Sequence, residues 1–129
     1  ILYYNLGVIY AEQGEFELAK EKYSQAIKLI PDYVDAYLNL VSVILEDEVS
    51  IVEQMNSLGN SKKDNIRYDE LKIERENLYK SAIPYLEKVY TLENDNLNAA
   101  RTLKNIYSAL GDTEKENQYK AIVSELENR

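Results

Sequence analysis

YYNLGVIYAEQGEFELAKEKYSQAIKLIP, residues 3–31, holds the pattern from which the architecture follows. Leu6, Tyr10 and then Ala19, Tyr23 and Ala26 recur at spacings of three and four, which places each set on one side of a helix. Gly14 stands between the two sets, where a residue tolerant of positive φ ends a helix cheaply. Pro31, followed by Asp32, stops the second helix, because proline cannot continue one. The stretch is a helical hairpin, and it repeats. Tyr3, Asn5, Leu6 and Tyr10 return 34 residues later as Tyr37, Asn39, Leu40 and Ile44. Leu6, Tyr10 and Gly14 return again, 97 residues on, as Leu103, Tyr107 and Gly111. Ala19, Tyr23, Ala26 and Leu29 match Ala82, Leu86, Val89 and Leu92 at an offset of 63. A period of 34, with about 29 residues inserted between Ile44 and Ala82, accounts for every offset.

On these residues the chain resembles the tetratricopeptide repeat family. The first copy carries the pattern at nearly every signature place: Tyr3 where Trp is usual, Leu6-Gly7, Tyr10, Gly14, Phe16, Ala19, Tyr23, Ala26 and Pro31. The second keeps Tyr37, Leu40, Ala82 and Leu92 but has Val41 in place of Gly and Asn94 in place of Pro. The third keeps Leu103, Tyr107 and Gly111-Asp112, then places Glu116 where a packed Ala is expected, so its last helix should be shifted in phase. The resemblance implies an all-α fold, a right-handed superhelix of about three helix-turn-helix repeats within a single domain, 1–129. Repeat 1 covers about 1–33, repeat 2 about 34–96 with its insertion at about 45–81, and repeat 3 with a capping helix about 97–129. Gly7 and Ala19 let the paired helices approach, while Tyr10, Tyr23 and Leu29 fill the seam. Most of the twelve tyrosines are expected in core and seam rather than as ligand-stacking faces.

The insertion is not composed like a loop. Val41, Ile44, Leu45, Val49, Val52 and Met55 continue a helical stripe, and Leu71, Leu78, Ala82, Leu86 and Val89 form another on the return. Asn56 to Ser61 is the turn-rich cluster between them, so the chain reverses there. The middle repeat is thus expected to have elongated helices forming a projecting antiparallel hairpin, on the order of 20 Å beyond its neighbours. Its charged tip should be the least stable part of the molecule. Pro84 either kinks the return helix or marks a fresh start at Ser81; unbroken apolar spacing favours the kink.

Composition narrows the function. With no Cys and no His there is no disulfide framework, thiolate or ordinary zinc site, cysteine nucleophile or imidazole base. The acidic pairs Asp47-Glu48, Glu74 with Glu76, and Glu114 with Glu116 read as solvated faces rather than catalytic dyads. Asn94-Asp95-Asn96 reads as a helix-connecting turn, since the rest of a calcium loop is missing. No phosphate-binding glycine loop exists. No enzyme, cofactor or metal is expected. A net charge of −8 opposes nucleic acid and anionic membranes, and no apolar run approaches the length of a span. Opening at Ile1 without a Met, the chain reads as an excised soluble fragment.

The resemblance implies a non-catalytic scaffold that binds a peptide or helix of a partner protein in its concave groove. The groove places are Tyr4 and Val8 in the first repeat, Leu38, Asn39 and Ser42 in the second, and Arg101 and Asn105 in the third. The family's carboxylate clamp for chaperone tails is not expected, because Tyr4, Val8, Asn98 and Thr102 occupy its places and Asn39 alone is retained. Two other functions stand beside this one: homodimer assembly through the elongated hairpin, and glycan binding on tyrosine faces in a cell envelope. The closing turn Leu110 to Lys115 resembles that of bacterial proteins of the family with a long-helix insertion, many of them exported, which implies the periplasm or envelope.

Overall fold

A computed structural model describes residues 1–129 as six helices and no strand: α1 (Leu2–Glu12), α2 (Phe16–Leu29), α3 (Val34–Asn56), α4 (Lys62–Leu92), α5 (Leu97–Leu110) and α6 (Thr113–Glu127). They form three consecutive hairpins, with α3 packed on α2 and α5 on α4. Gly14 and Gly111 both adopt φ 76°, the left-handed conformation that ends α1 and α5 without Cβ strain. Gly7 answers a different need: a Cβ there would lie 2.6 Å from the Tyr23 ring, so α1 and α2 meet over a bare backbone. Later helices start on side-chain caps. Ser61 accepts from the Asp64 N–H, Asn96 from Ala99 and Asp112 from Lys115.

One continuous core runs through the stack, from Ala19 and Tyr23 through Leu40, Ile44, Ala82 and Leu86 to Leu103 and Tyr119. The interlocking of hairpins follows from the repeat. Ala36, Leu40 and Val43 of α3, and Ala99, Leu103 and Ile106 of α5, are all buried. Two of the three corresponding places in α1 are open, with Leu2 69% and Ile9 47% exposed, and Leu6 is half-buried.

The middle hairpin is long, 23 residues in α3 and 31 in α4, with its reversal between Asn56 and Lys62 where the turn cluster puts it. Tyr37 faces Tyr85, Glu48 binds Arg75 and Gln54 binds Arg67, pairings that rise in one helix as they fall in the other. The two helices are therefore antiparallel. The tip is tied down: Gly59 N–H donates to Asp64 Oδ2 at 3.0 Å, beside the Ser61 cap.

Three expectations need correction. The seam stripe on α3 does not include Val49, which is 55% exposed; Glu48 occupies that seam instead. Glu48 is consequently not a solvated carboxylate. It accepts from Arg75 Nη2 at 2.9 Å, Arg75 Nε at 3.2 Å and the Tyr79 hydroxyl, and Asp47 likewise accepts from Lys20 at 2.8 Å. Leu29, expected to fill the seam of the first hairpin, is 68% exposed; of the two readings of Pro84, a fresh start at Ser81 is the one excluded, since α4 runs unbroken through the proline. In α6 the phase shift expected from Glu116 is present: Tyr119 and Val123 are its buried residues, while Lys120, at the place corresponding to Tyr23, is exposed.

Candidate functional site

A hollow of about 300 Å³ lies where α3, α4 and α5 meet. Leu38, Val41 and Leu45 of α3 with Leu86 of α4 form its apolar side, because spacings of three and four put the three α3 residues on one side of that helix. Ser42 of α3 and Asn98 and Thr102 of α5 form its polar side, with exposed Glu46 completing the lining. The Thr102 hydroxyl donates to the Asn98 carbonyl at 2.8 Å, one turn back. The hollow thus combines an apolar anchor site with hydroxyl and amide groups and one carboxylate. That set fits an aliphatic side chain with polar neighbours, and it contains no nucleophile held by a base.

The seven groove residues do not converge on one place. Leu38 and Ser42 line the hollow together. Tyr4 and Asn39 instead meet each other: the Asn39 amide donates to the Tyr4 hydroxyl at 3.0 Å and to the Tyr23 hydroxyl at 3.4 Å. The Tyr4 ring stacks on Tyr33 at 5.0 Å and tilts against Tyr23 at 5.8 Å. Both residues knit α1, α2 and α3 together. Val8 is half-buried against the core. Arg101 and Asn105 are exposed on α5, and the Arg101 guanidinium is taken up by Glu127 at 3.1 Å. Val41, Leu45, Glu46, Leu86, Asn98 and Thr102 were not among the expected site residues, the last two being placed only as departures from the carboxylate clamp. The signal that finds three of them is the seven-residue step from Leu38 to Leu45 on a helix already assigned to the groove, with Val41 and Glu46 beside it.

The tyrosines do not offer a free stacking platform. Eleven of twelve are buried or half-buried, leaving Tyr68 on the arm as the exposed one. Burial, aided by the hydrogen bond it donates to Glu87 at 3.1 Å, pushes the Tyr107 hydroxyl up to about 12. Burial raises Tyr23, Tyr79 and Tyr119 as well. No group of acidic side chains is disposed to hold a metal ion, and no helix is long and apolar enough to cross a membrane.

An all-α stack of hairpins with an open inter-helix hollow defines the class: a helical-repeat protein. Within that class, the family model of the tetratricopeptide repeat matches residues 1–33, the span of the first hairpin. No curated protein matches the chain.

Proposed function

We propose that this chain is a peptide-binding scaffold, in keeping with the protein–protein interactions that tetratricopeptide repeats generally mediate, and that the hollow between α3, α4 and α5 receives an apolar side chain of its partner. The observation that carries the reading is the lining itself, half-buried Leu38 and Leu45 over a floor of buried Val41 and Leu86, opposite Ser42, Asn98 and Thr102. Apolar anchors in pockets with a few convergent polar groups are where interface energy concentrates. The test is selection from a random peptide display library, followed by rebinding to Ser42→Arg, whose exposed position makes it neutral for folding. Selected peptides should share an aliphatic residue and lose at least about tenfold in affinity on the variant. Peptides that rebind Ser42→Arg undiminished would remove the hollow from consideration.

A second reading, self-association through the arm, is favoured by Ile66 and Ile73, seven residues apart on α4 and 55% and 57% exposed. Sedimentation of wild type against an Ile66→Glu, Ile73→Glu double variant checks it: a dimer abolished by the variant supports assembly, and a wild-type monomer discards it.

A further inference from the structure

We propose that the binding surface does not end at the hollow but continues along α3 onto the arm, and that its occupant is an amphipathic helix with a basic flank; this rests on the peptide-binding reading above. Leu38, Val41, Leu45, Val49 and Val52 follow one another at steps of three, four, four and three. Those steps keep all five on one side of α3 over roughly 21 Å. The strip borders the seam with α4, where Ile44, Glu48 and Ile51 point: Val41 is buried in the core on the seam side, seven residues before Glu48, while Leu38, Leu45, Val49 and Val52 are half-buried or exposed. A second hollow, about 350 Å³, lies over its outer half, lined by Glu48, Val49, Val52 and Glu53. The exposed apolar surface of Val49, unexplained by the packing of the hairpin, is thereby the middle of a strip that starts in the first hollow.

The strip dictates the conformation of its occupant. Its outer half offers side chains of α3 alone and no free strand edge or carbonyl row, so an extended peptide lying there would leave backbone groups unpaired. A helix satisfies its own backbone. Leu38, Leu45 and Val52 also repeat every seven residues, the spacing that a partner helix with a heptad pattern meets knob by knob. About four turns would cover it.

Charge dictates the flank. Of the carboxylates on this part of α3, Asp47 is neutralised by Lys20 at 2.8 Å and Glu48 by Arg75 at 2.9 Å. Glu46 and Glu53 have no ion-pair partner, and they stand seven residues apart along the same edge of the strip. Lys or Arg at heptad spacing on the partner would face both. Such pairs set orientation and association rate more than affinity.

The experiment uses two fluorescent peptides of about 18 residues, long enough for the strip. Both carry Leu at heptad positions; one has Lys on the flank and the other Glu at the same places. Anisotropy titrations compare the wild-type chain with Val49→Asp, Glu53→Lys and Leu38→Asp, with far-UV circular dichroism confirming that each variant is folded. Wild type should bind the Lys peptide more tightly than the Glu peptide, with affinity falling as salt rises. Val49→Asp and Glu53→Lys should each weaken it about tenfold. Binding unchanged by those two but lost in Leu38→Asp overturns the extension while leaving the first hollow as the site. Failure of wild type to bind the Lys peptide, or equal binding of both peptides, also overturns the proposal; the display selection against Ser42→Arg judges the hollow separately. If sedimentation shows a wild-type dimer that Val49→Asp dissolves, the strip belongs to a second copy and the proposal falls.

Discussion

Gly7 shows how a single atom sets the spacing of a repeat. The Tyr23 ring lies over it, and that ring cannot swing freely, because its hydroxyl accepts from Asn39 and its face meets Tyr4. A methyl group at 2.6 Å must displace the ring or part the helices. Gly7→Ala should therefore destabilise the chain by about 1–3 kcal/mol, despite the better helix propensity of alanine, as urea unfolding would measure. An unchanged midpoint would mean that the ring has room to move. Leu-Gly at positions 6 and 7 announced this close approach in the sequence. The roles of Tyr4 and Asn39 were not legible in the same way. Their spacing marks them as groove places, but whether a hydroxyl and an amide face a ligand or each other depends on how α1 and α3 sit, which no local pattern encodes.

At the scale of elements, α3 and α4 carry the departure from a regular repeat. Their length and reversal were readable because apolar periodicity persists through residues 41–55 and 71–89, and because Asn56 to Ser61 breaks it. The exchange of Val49 for Glu48 in the seam was not. Periodicity counts apolar residues, while a carboxylate enters a seam when partners such as Arg75 and Tyr79, 27 and 31 residues away, meet its charge. This polar knot aligns the two helices, since a slip of either would strand Glu48 without donors. Glu48→Ala should cost about 1 kcal/mol, a modest figure because Glu48 and Arg75 are both partly exposed. Amide exchange should then quicken in residues 50–76 before the rest of the molecule; uniform quickening would deny the knot a local role. Pro84 makes the opposite prediction. It is exposed within α4 and leaves the Lys80 carbonyl without its helical donor, so Pro84→Ala should raise stability by up to about 3 kcal/mol. Loss of stability in that variant would show that neighbouring packing depends on proline's geometry.

Over the whole molecule, each hairpin touches only its neighbours, and the common feature along the stack is tyrosine. The hollow that supports function is a product of this scale as well. Leu38 and Ser42 were placed in a groove by the repeat, whereas Leu86 joins them only because α4 and α5 close around α3 in three dimensions. The tyrosines also tie stability to alkaline pH in every hairpin. Tyr23, Tyr37, Tyr79, Tyr107 and Tyr119 are all held above the ordinary value of 10.0, first by burial, and Tyr107 reaches about 12. Raised values mean that the folded chain keeps these protons while the unfolded chain releases them. Their contribution is complete below pH 10, and stability must fall as pH rises from about 10 toward 12, because the unfolded state then binds fewer protons than the folded one. Ionisation of Tyr107 would also set a phenolate against Glu87 at hydrogen-bond distance, so charge repulsion adds to the loss. Thermal melts between pH 8 and 12 should show a plateau followed by a decline, with tyrosinate absorbance appearing in step with unfolding. Tyr107→Phe should flatten part of that decline while giving up the Glu87 contact at neutral pH. A melting temperature that stays level to pH 12, or tyrosinate that forms fully in the folded chain near pH 10, would show that these rings are open to water and that the stack is held by its aliphatic core alone.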